Sequence, residues 1–307
     1  MTEGRLPRRR VDTAKLTPRT FWEPLLFLAP FLVGLIIFTV YPFINVFALS
    51  FKQDYNLLTQ AFSGYGFDNY KTIFADPNFA NALRNTGIYV AVVVPISTAL
   101  SLLAASLLNS DIRLKGLFQT CYFLPMVTSI TAVGLVWKWM FNYDYGIINY
   151  FLSLFGVNAI NWLNNPQYNL AALIIYGIWD MMPMTIILLL SGYQNINPQY
   201  YTAAKADGAK TWCIFRRITL PLLAPTLGLT MIINIIYASK VFTELFPLFN
   251  GKPGSAYSLY TVVYYLYDMF YNKWQLGPAS ASAVVLFAIV LVLTIIQLYI
   301  QRNWKNY

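Results

Sequence analysis

Five residues carry most of the chemistry this sequence offers. Trp179 and Asp180 interrupt one apolar stretch, and Asn234, Tyr237 and Glu244 lie in or just beyond another. Amide, phenol and carboxylate groups donate and accept hydrogen bonds, and aromatic rings offer flat faces to C–H surfaces. That combination suits a hydroxyl-rich solute such as a sugar. If these stretches cross a bilayer, a carboxylate within them costs at least about 2.5 kcal/mol, so Asp180 should face a bundle interior, a partner or water. Two uses stay open for it, as the lining or gate of a path or as half of a structural pair. Lys240 and Glu244 stand four apart and can share a helix face. They read either as an ion pair near the membrane interface or as path lining. The same residue types also serve for hydrogen bonding between membrane helices.

Catalytic chemistry is harder to assemble. The chain has no histidine and only two cysteines, Cys121 and Cys213, far apart in sequence. Neither a His-dependent triad nor a zinc site can be built from that set. No GxxxxGK[ST] phosphate loop is present. No catalytic residue, bound metal or bound cofactor is expected of this chain.

The elements that must position these groups are membrane spans. Of 307 residues, 58% are hydrophobic and 11% charged, where soluble domains carry about 25% charge. Mean hydropathy is +0.52. A span needs about 20 mainly apolar residues. Six segments qualify, at roughly 22–49, 86–108, 118–140, 168–192, 220–243 and 278–301. The fold class is therefore an all-α polytopic membrane protein with six transmembrane helices. The apolar run after the basic residues 5–19 is longer than a signal-peptide core and reads as a retained first helix. Pro30, Pro95, Pro125, Pro183, Pro221 and Pro225 lie in or at the edges of these spans, as local kinks or as gating elements.

Charge is segregated by loop. The tails 1–21 and 302–307 and the connections 109–117 and 193–219 hold 14 of the 21 basic residues. The other connections and adjoining helix ends hold seven, offset by seven acids. The positive-inside rule then puts both termini in the cytoplasm, and an even helix count agrees. The net charge of +9 is thus a membrane pattern, and nucleic acid is not an expected partner. Tyr55, Phe62, Tyr65, Phe67, Tyr70, Phe141, Tyr143, Tyr145 and Trp162 crowd the outer loops, with Trp137 and Trp139 at an outer helix end. They read as an interfacial aromatic belt or as a docking face for an outer partner.

The most informative stretch is Ile196 to Pro225, between the fourth and fifth spans. Asn197-Pro198 opens a short helix, and Asp207-Gly208 breaks it. A second amphipathic helix is expected over Ala209 to Ile218, with the fifth span starting at Leu220-Pro221. This is a cytoplasmic helix–turn–helix elbow presenting small residues, or a plain amphipathic connector lying on the membrane.

Ala203-Ala204, Asp207-Gly208-Ala209, Phe215, Ile218, Leu220-Pro221 and Pro225 resemble the signature of binding-protein-dependent ABC transporter permeases. From Trp22 to Tyr299 the chain is similar to the carbohydrate-uptake branch, which includes maltose, multiple-sugar, lactose and glycerol-3-phosphate permeases. Phe123-Leu124-Pro125, Trp137-Lys138-Trp139 and Gly146-Ile147-Ile148-Asn149 resemble its first-subunit type. The resemblance implies the type I ABC importer permease fold in a prokaryotic inner or plasma membrane. It implies a coupling segment over 196–219, in which Thr202, Ala203, Ala204, Asp207, Gly208 and Ala209 meet an ATP-binding subunit. The family usually has a glutamate where this chain has Thr202, so docking would rest on Ala203, Ala204, Gly208 and shape, with Asp207 as the remaining acid. The implied partners are a second homologous permease forming a heterodimer, an ATP-binding subunit dimer that uses ATP and Mg, an extracytoplasmic solute-binding protein, and a sugar or oligosaccharide. Trp179, Asp180, Asn234, Tyr237 and Glu244 remain candidates for lining the pore. A secondary, ion-coupled solute transporter is the alternative. It would call for inverted repeats and midplane coupling groups, and this sequence offers no convincing repeat and one candidate midplane acid.

Overall fold

The structure, a computed structural model, describes residues 18–110 and 112–304. The basic residues before Pro18, Asp111 and Lys305 lie outside the described residues. The chain divides into two units, one through Ala48 and one from Leu49 onward.

The described part of the first unit is helical. Helix α1 (Pro18–Leu35) passes through a π turn (Ile36–Val40) into α2 (Tyr41–Phe51), which carries the chain into the second unit. Phe27 and Phe38 face outward along it, as on a helix whose solvent is lipid. The π turn has a local cause. Proline offers no N–H to the carbonyl four residues back, and its ring crowds that carbonyl. Just before Pro42, the Tyr41 N–H instead reaches back five residues to Ile36, widening the turn that meets the ring.

The second unit starts with a short antiparallel pair, β1 (Lys52–Gln53) and β2 (Gly64–Tyr65). There follow α3 (Asp68–Ala75), α4 (Pro77–Asn109), α5 (Lys115–Val127), α6 (Ile130–Met140) and α7 (Ile147–Leu154). Next come α8 (Pro166–Gln194), α9 (Pro198–Ala206), α10 (Thr211–Ile214), α11 (Leu220–Ser239), α12 (Leu245–Phe249), α13 (Val262–Tyr267) and α14 (Leu276–Trp304). Three helices begin the same way. Asp76, Asn165 and Asn197 each precede a proline and accept the backbone N–H two residues on, at 2.8, 3.1 and 2.9 Å. The side chain satisfies one orphan donor, and proline at the first helical position gives up a donor that had no partner.

Among the described residues, five helices are long and apolar enough to cross a membrane, and α5 with α6 makes a sixth if that bent pair is one span. The span expected over 118–140 is bent far more sharply than a local kink at Pro125. It breaks at Thr128–Ser129, and the two halves meet at 106°. Neither residue there is helical, and the Thr128 hydroxyl donates to the Leu124 carbonyl at 2.8 Å, a bond of the kind that bends helices.

The core sits between α4 and α8, which pack along much of their length. Gly177 on α8 makes room for the hydroxyl end of Tyr89 of α4, and a Cβ there would run into it. Tyr176, Leu173, Phe79, Phe141 and Tyr265 are fully buried around this contact. α11 packs on α4, α8 and α14. Part of the expected aromatic belt belongs to this core. Trp137 and Trp162 are buried, Trp137 against Tyr176 and Trp162 against Phe141. Trp139 is exposed. Tyr55 and Phe62 hold the Lys52 ammonium over their rings at 5.3 and 4.9 Å.

Candidate functional site

Two places bring the candidate residues together, a polar cavity within the bundle and the elbow after α8.

The cavity has a volume of about 460 Å³ and opens where α5 breaks from α6. Thr128 and Val133 line one side, Tyr176 and Asp180 of α8 a second, and Asn234 and Tyr237 of α11 a third. The Tyr237 hydroxyl donates to Asp180 Oδ2 at 3.0 Å. The Tyr176 hydroxyl, one helical turn before Asp180, is buried without a hydrogen-bond partner among the described residues. Non-helical backbone within a membrane is tolerated where it is enclosed by protein or lines a wet cavity. The Thr128–Ser129 break therefore belongs to the same feature as the carboxylate. Together they offer one carboxylate, the Tyr237 phenol and a polar bend in an otherwise largely apolar wall.

The candidates divide around this cavity. Asp180 and Tyr237 both line it and are bonded to each other. Asn234 also lines it, but its amide is already committed. It donates to Thr98 Oγ1 and accepts from Thr185 Oγ1, both at 3.2 Å. Asn234 is 3% exposed and ties α4, α8 and α11 at one level. Trp179 does not line the cavity and packs against Trp137 and Tyr176, with ring centroids 5.4 and 6.2 Å apart. Glu244 lies in the loop before α12, buried, its carboxylate accepting the Phe242 N–H at 2.9 Å. Burial pushes its pKa up.

The Lys240–Glu244 ion pair does not form. α11 ends at Ser239, Lys240 takes the cap conformation, and its side chain is exposed. The helical spacing that would bring the two together stops before Lys240. The ion pairs among the described residues are Lys71–Asp68 and Lys273–Asp268. Sequence reading also passed over Tyr176, Thr128, Thr98 and Thr185. Tyr176 had a signal, since it stands four before Asp180 on the same helix face. The threonines had none, because their partners come from other helices.

The elbow is built from local rules. α9 ends at Ala206 with Asp207 as its cap, and Gly208 takes φ +73°. The Gly208 N–H bonds the Lys205 carbonyl at 3.1 Å and the Ala209 N–H bonds the Ala204 carbonyl at 3.0 Å. This is the Schellman pattern, in which a left-handed residue satisfies the last carbonyls. Thr202, Ala203, Asp207 and Gly208 are exposed, Ala209 is partly so, and Ala204 is buried. The Tyr201 hydroxyl meets Thr219 Oγ1 at 3.3 Å and holds α9 to the return arm. Trp212, 70% exposed, stacks on Phe215.

The return arm differs from expectation. A separate helix over 209–218 does not form. From Thr211 the chain runs as one helix through α10, a π turn (Phe215–Thr219) and α11. The Leu220 N–H bonds Phe215 five residues back, directly before Pro221. This is the device seen before Pro42, and it lets the helix run through the proline without a break.

Residues 97–306 match the family described as binding-protein-dependent transport system inner membrane component. The chain belongs to this family. The permease is also 31% identical over 290 residues to the trehalose/maltose transport system permease protein MalF of Thermococcus litoralis, covering 94% of this chain and 97% of that one. It is 33% identical over 284 residues to the lactose transport system permease protein LacF of Rhizobium radiobacter, covering 91% and 94%. The arabinooligosaccharides transport system permease protein AraP of Bacillus subtilis is 32% identical, covering 92% and 90%. Among solved structures, a chain of a bacterial ABC transporter involved in the import of the acidic polysaccharide alginate superposes with a TM-score of 0.79. It is 24% identical and covers 93% of the permease and 96% of itself. The permease therefore has the type I importer permease fold and is a multi-pass membrane subunit of a binding-protein-dependent transport system.

Proposed function

We propose that the permease is one half of the translocation path of an ATP-driven importer of sugars or oligosaccharides. The observation that carries the substrate class is the likeness to sugar-system permeases over 90% or more of the chain, at 31–33% identity. The cavity chemistry agrees with it, since a carboxylate and a phenol in a largely apolar wall suit a polyol. In this reading both termini are cytoplasmic, as the basic connections suggest. An extracytoplasmic binding protein delivers the solute, a second homologous permease completes the pore, and Asp180 and Tyr237 meet the solute in transit.

The elbow faces an ATP-binding subunit dimer, which uses ATP and Mg. Thr202, Ala203, Asp207 and Gly208 form the contact, and the small side chains allow close approach of a partner surface. The Schellman turn makes α9 a short rigid lever, and the unbroken helix from Thr211 carries its displacement to Asn234 and Tyr237. Movement of the elbow would thus reach the cavity through one continuous element.

The test is reconstitution. The permease, purified with its co-expressed second permease and ATP-binding subunits, is placed in proteoliposomes with the binding protein and a panel of oligosaccharides. ATP hydrolysis and uptake that rise together with one class of sugar support the reading. Transport by the lone chain, or a complex stimulated by no sugar, overturns it.

A further inference from the structure

Helix α7 presents its apolar side outward. Ile147, Tyr150, Phe151, Leu154 and Phe155 form one exposed stripe, with Tyr150 63% and Phe155 84% exposed. Its roll is fixed from behind. Asn149, buried on the opposite face, donates to the carbonyls of Asn142, Tyr143 and Ile160 at 3.0–3.3 Å and accepts from the Ile160 N–H and Trp162 Nε1. Ile148 and Leu152 pack into the core beside it. At its end Gly156 (φ +75°) closes a second Schellman turn, with Val157 N–H on the Leu152 carbonyl. The outward stripe is therefore a built feature. In water it would be a contiguous apolar patch of the kind soluble surfaces avoid.

A groove of about 580 Å³ runs between this helix and α6, lined by Leu135, Val136, Trp139, Met140, Tyr145 and Ile147. No charged residue lines it. Trp139 and Tyr145 meet edge to face on it, ring centroids 6.4 Å apart. The stripe Leu135–Val136–Trp139 lies on the side of α6 opposite Ile130 and Val133, which line the polar cavity. The groove is thus continuous with an outward face of a membrane-spanning segment and turned away from the translocation path.

We propose that α7 lies along the bilayer interface at the end of the bundle opposite the elbow, its stripe in the headgroup–acyl boundary, and that the groove holds a phospholipid acyl chain. An interfacial helix buries its apolar face about 5–10 Å into that boundary, where Trp and Tyr are enriched. A protein interface of this size would carry about one hydrogen bond per 100–200 Å². The stripe and groove offer only the tyrosine hydroxyls and the indole N–H, and a lipid needs no more. The connection between α6 and α8 would then fix the height of the α5–α6 break, and of the cavity it lines, in the membrane.

The test uses the permease with its co-purifying subunits in phosphatidylcholine nanodiscs, with Cys121 and Cys213 replaced by alanine. Single cysteines at Phe151, Leu154 and Phe155 carry a nitroxide spin label, and collision with oxygen is compared with collision with a water-soluble nickel chelate. The proposal expects an oxygen-to-nickel ratio several-fold above that at the exposed loop position Asn56. Free access to nickel would place the stripe in water, and shielding from both would place it under protein; either result overturns the proposal. For the groove, a photoactivatable acyl-chain phosphatidylcholine should cross-link within 135–147, and V136W should cut that yield at least several-fold at unchanged complex yield. Equal labelling in V136W, or none in either protein, removes the acyl-chain assignment.

Discussion

The elbow and the cavity are built by opposite logics. The elbow is local, since Asn197 starts it, Gly208 ends it and the bonds that close the turn span at most five residues. The cavity is assembled from a break between α5 and α6, one face of α8 and one of α11. Replacing one residue of the elbow should alter a shape that its neighbours cannot restore. Replacing one residue of the cavity changes a wall whose other sides stay in place, unless that residue also joins helices. Substitutions at Gly208, at the Asp180–Tyr237 pair, at Asn234 and at Glu244 test this contrast.

The largest effect is expected at Gly208. Its φ of +73° costs a side chain conformational energy, although a Cβ there would meet nothing within 4 Å. G208V should therefore lose coupling through backbone strain of about 1–2 kcal/mol or more, with no packing clash. Uptake should fall by more than about tenfold while ATP hydrolysis persists, each tenfold being about 1.4 kcal/mol. G208N separates the two causes, because asparagine tolerates the left-handed region, and it should keep most of the coupled uptake. Normal uptake in G208V, or equal loss in both variants, would break the argument.

Next is the Asp180–Tyr237 pair. D180N keeps the shape and removes the charge, and Y237F removes the donor at 3.0 Å. A hydrogen bond to a charged group is worth about 1.5–3 kcal/mol, so KM for uptake should rise about tenfold in D180N and less in Y237F. Complex yield should stay near wild type. Parallel loss of yield and uptake would make the pair structural.

Asn234 reverses the expectation its position invites. It lines the cavity, yet both ends of its amide are bonded to other helices. Such bonds within membranes average about 0.6 kcal/mol and reach about 1.7. N234A should lower the unfolding temperature and the complex yield, with KM for uptake nearly unchanged. A selective KM effect at full yield would return Asn234 to the solute-binding wall.

What could be read in advance follows the same division. The elbow's cap, stop and left-handed glycine stood in consecutive letters, and so did the hydrophobic spans. The pair Asp180–Tyr237 was legible as two polar residues in apolar stretches, because a membrane makes every such residue conspicuous. The α5–α6 break was not. Pro125 announced a kink, but five other prolines, Pro30, Pro95, Pro183, Pro221 and Pro225, lie inside continuous helices. What differs at Thr128–Ser129 is a cavity that accepts the bend. The Lys240–Glu244 pairing failed because it assumed helix beyond Ser239. Trp137 and Trp162 went to the core because composition gives an aromatic residue's depth only when its partners, here Tyr176 and Phe141, are known.

The smallest effect is expected at Glu244, and it concerns stability. The carboxyl is buried and accepts the Phe242 N–H, and burial raises its pKa above the ordinary glutamate value. A raised pKa means that the fold favours the protonated form. Its contribution is therefore fully present below the unfolded-state value, near 4.5, and is lost as pH rises through the folded-state value. E244Q keeps an acceptor for the Phe242 N–H and removes the ionisation. The unfolding temperature of the wild-type permease should decline across that window relative to E244Q, so that the variant is the more stable protein by a few degrees at neutral pH. Thermal unfolding of both proteins in one detergent from pH 4 to 8 measures it. Parallel curves would mean that the carboxyl keeps its charge at no cost in the fold, and the burial of Glu244 would then carry no pH-dependent penalty.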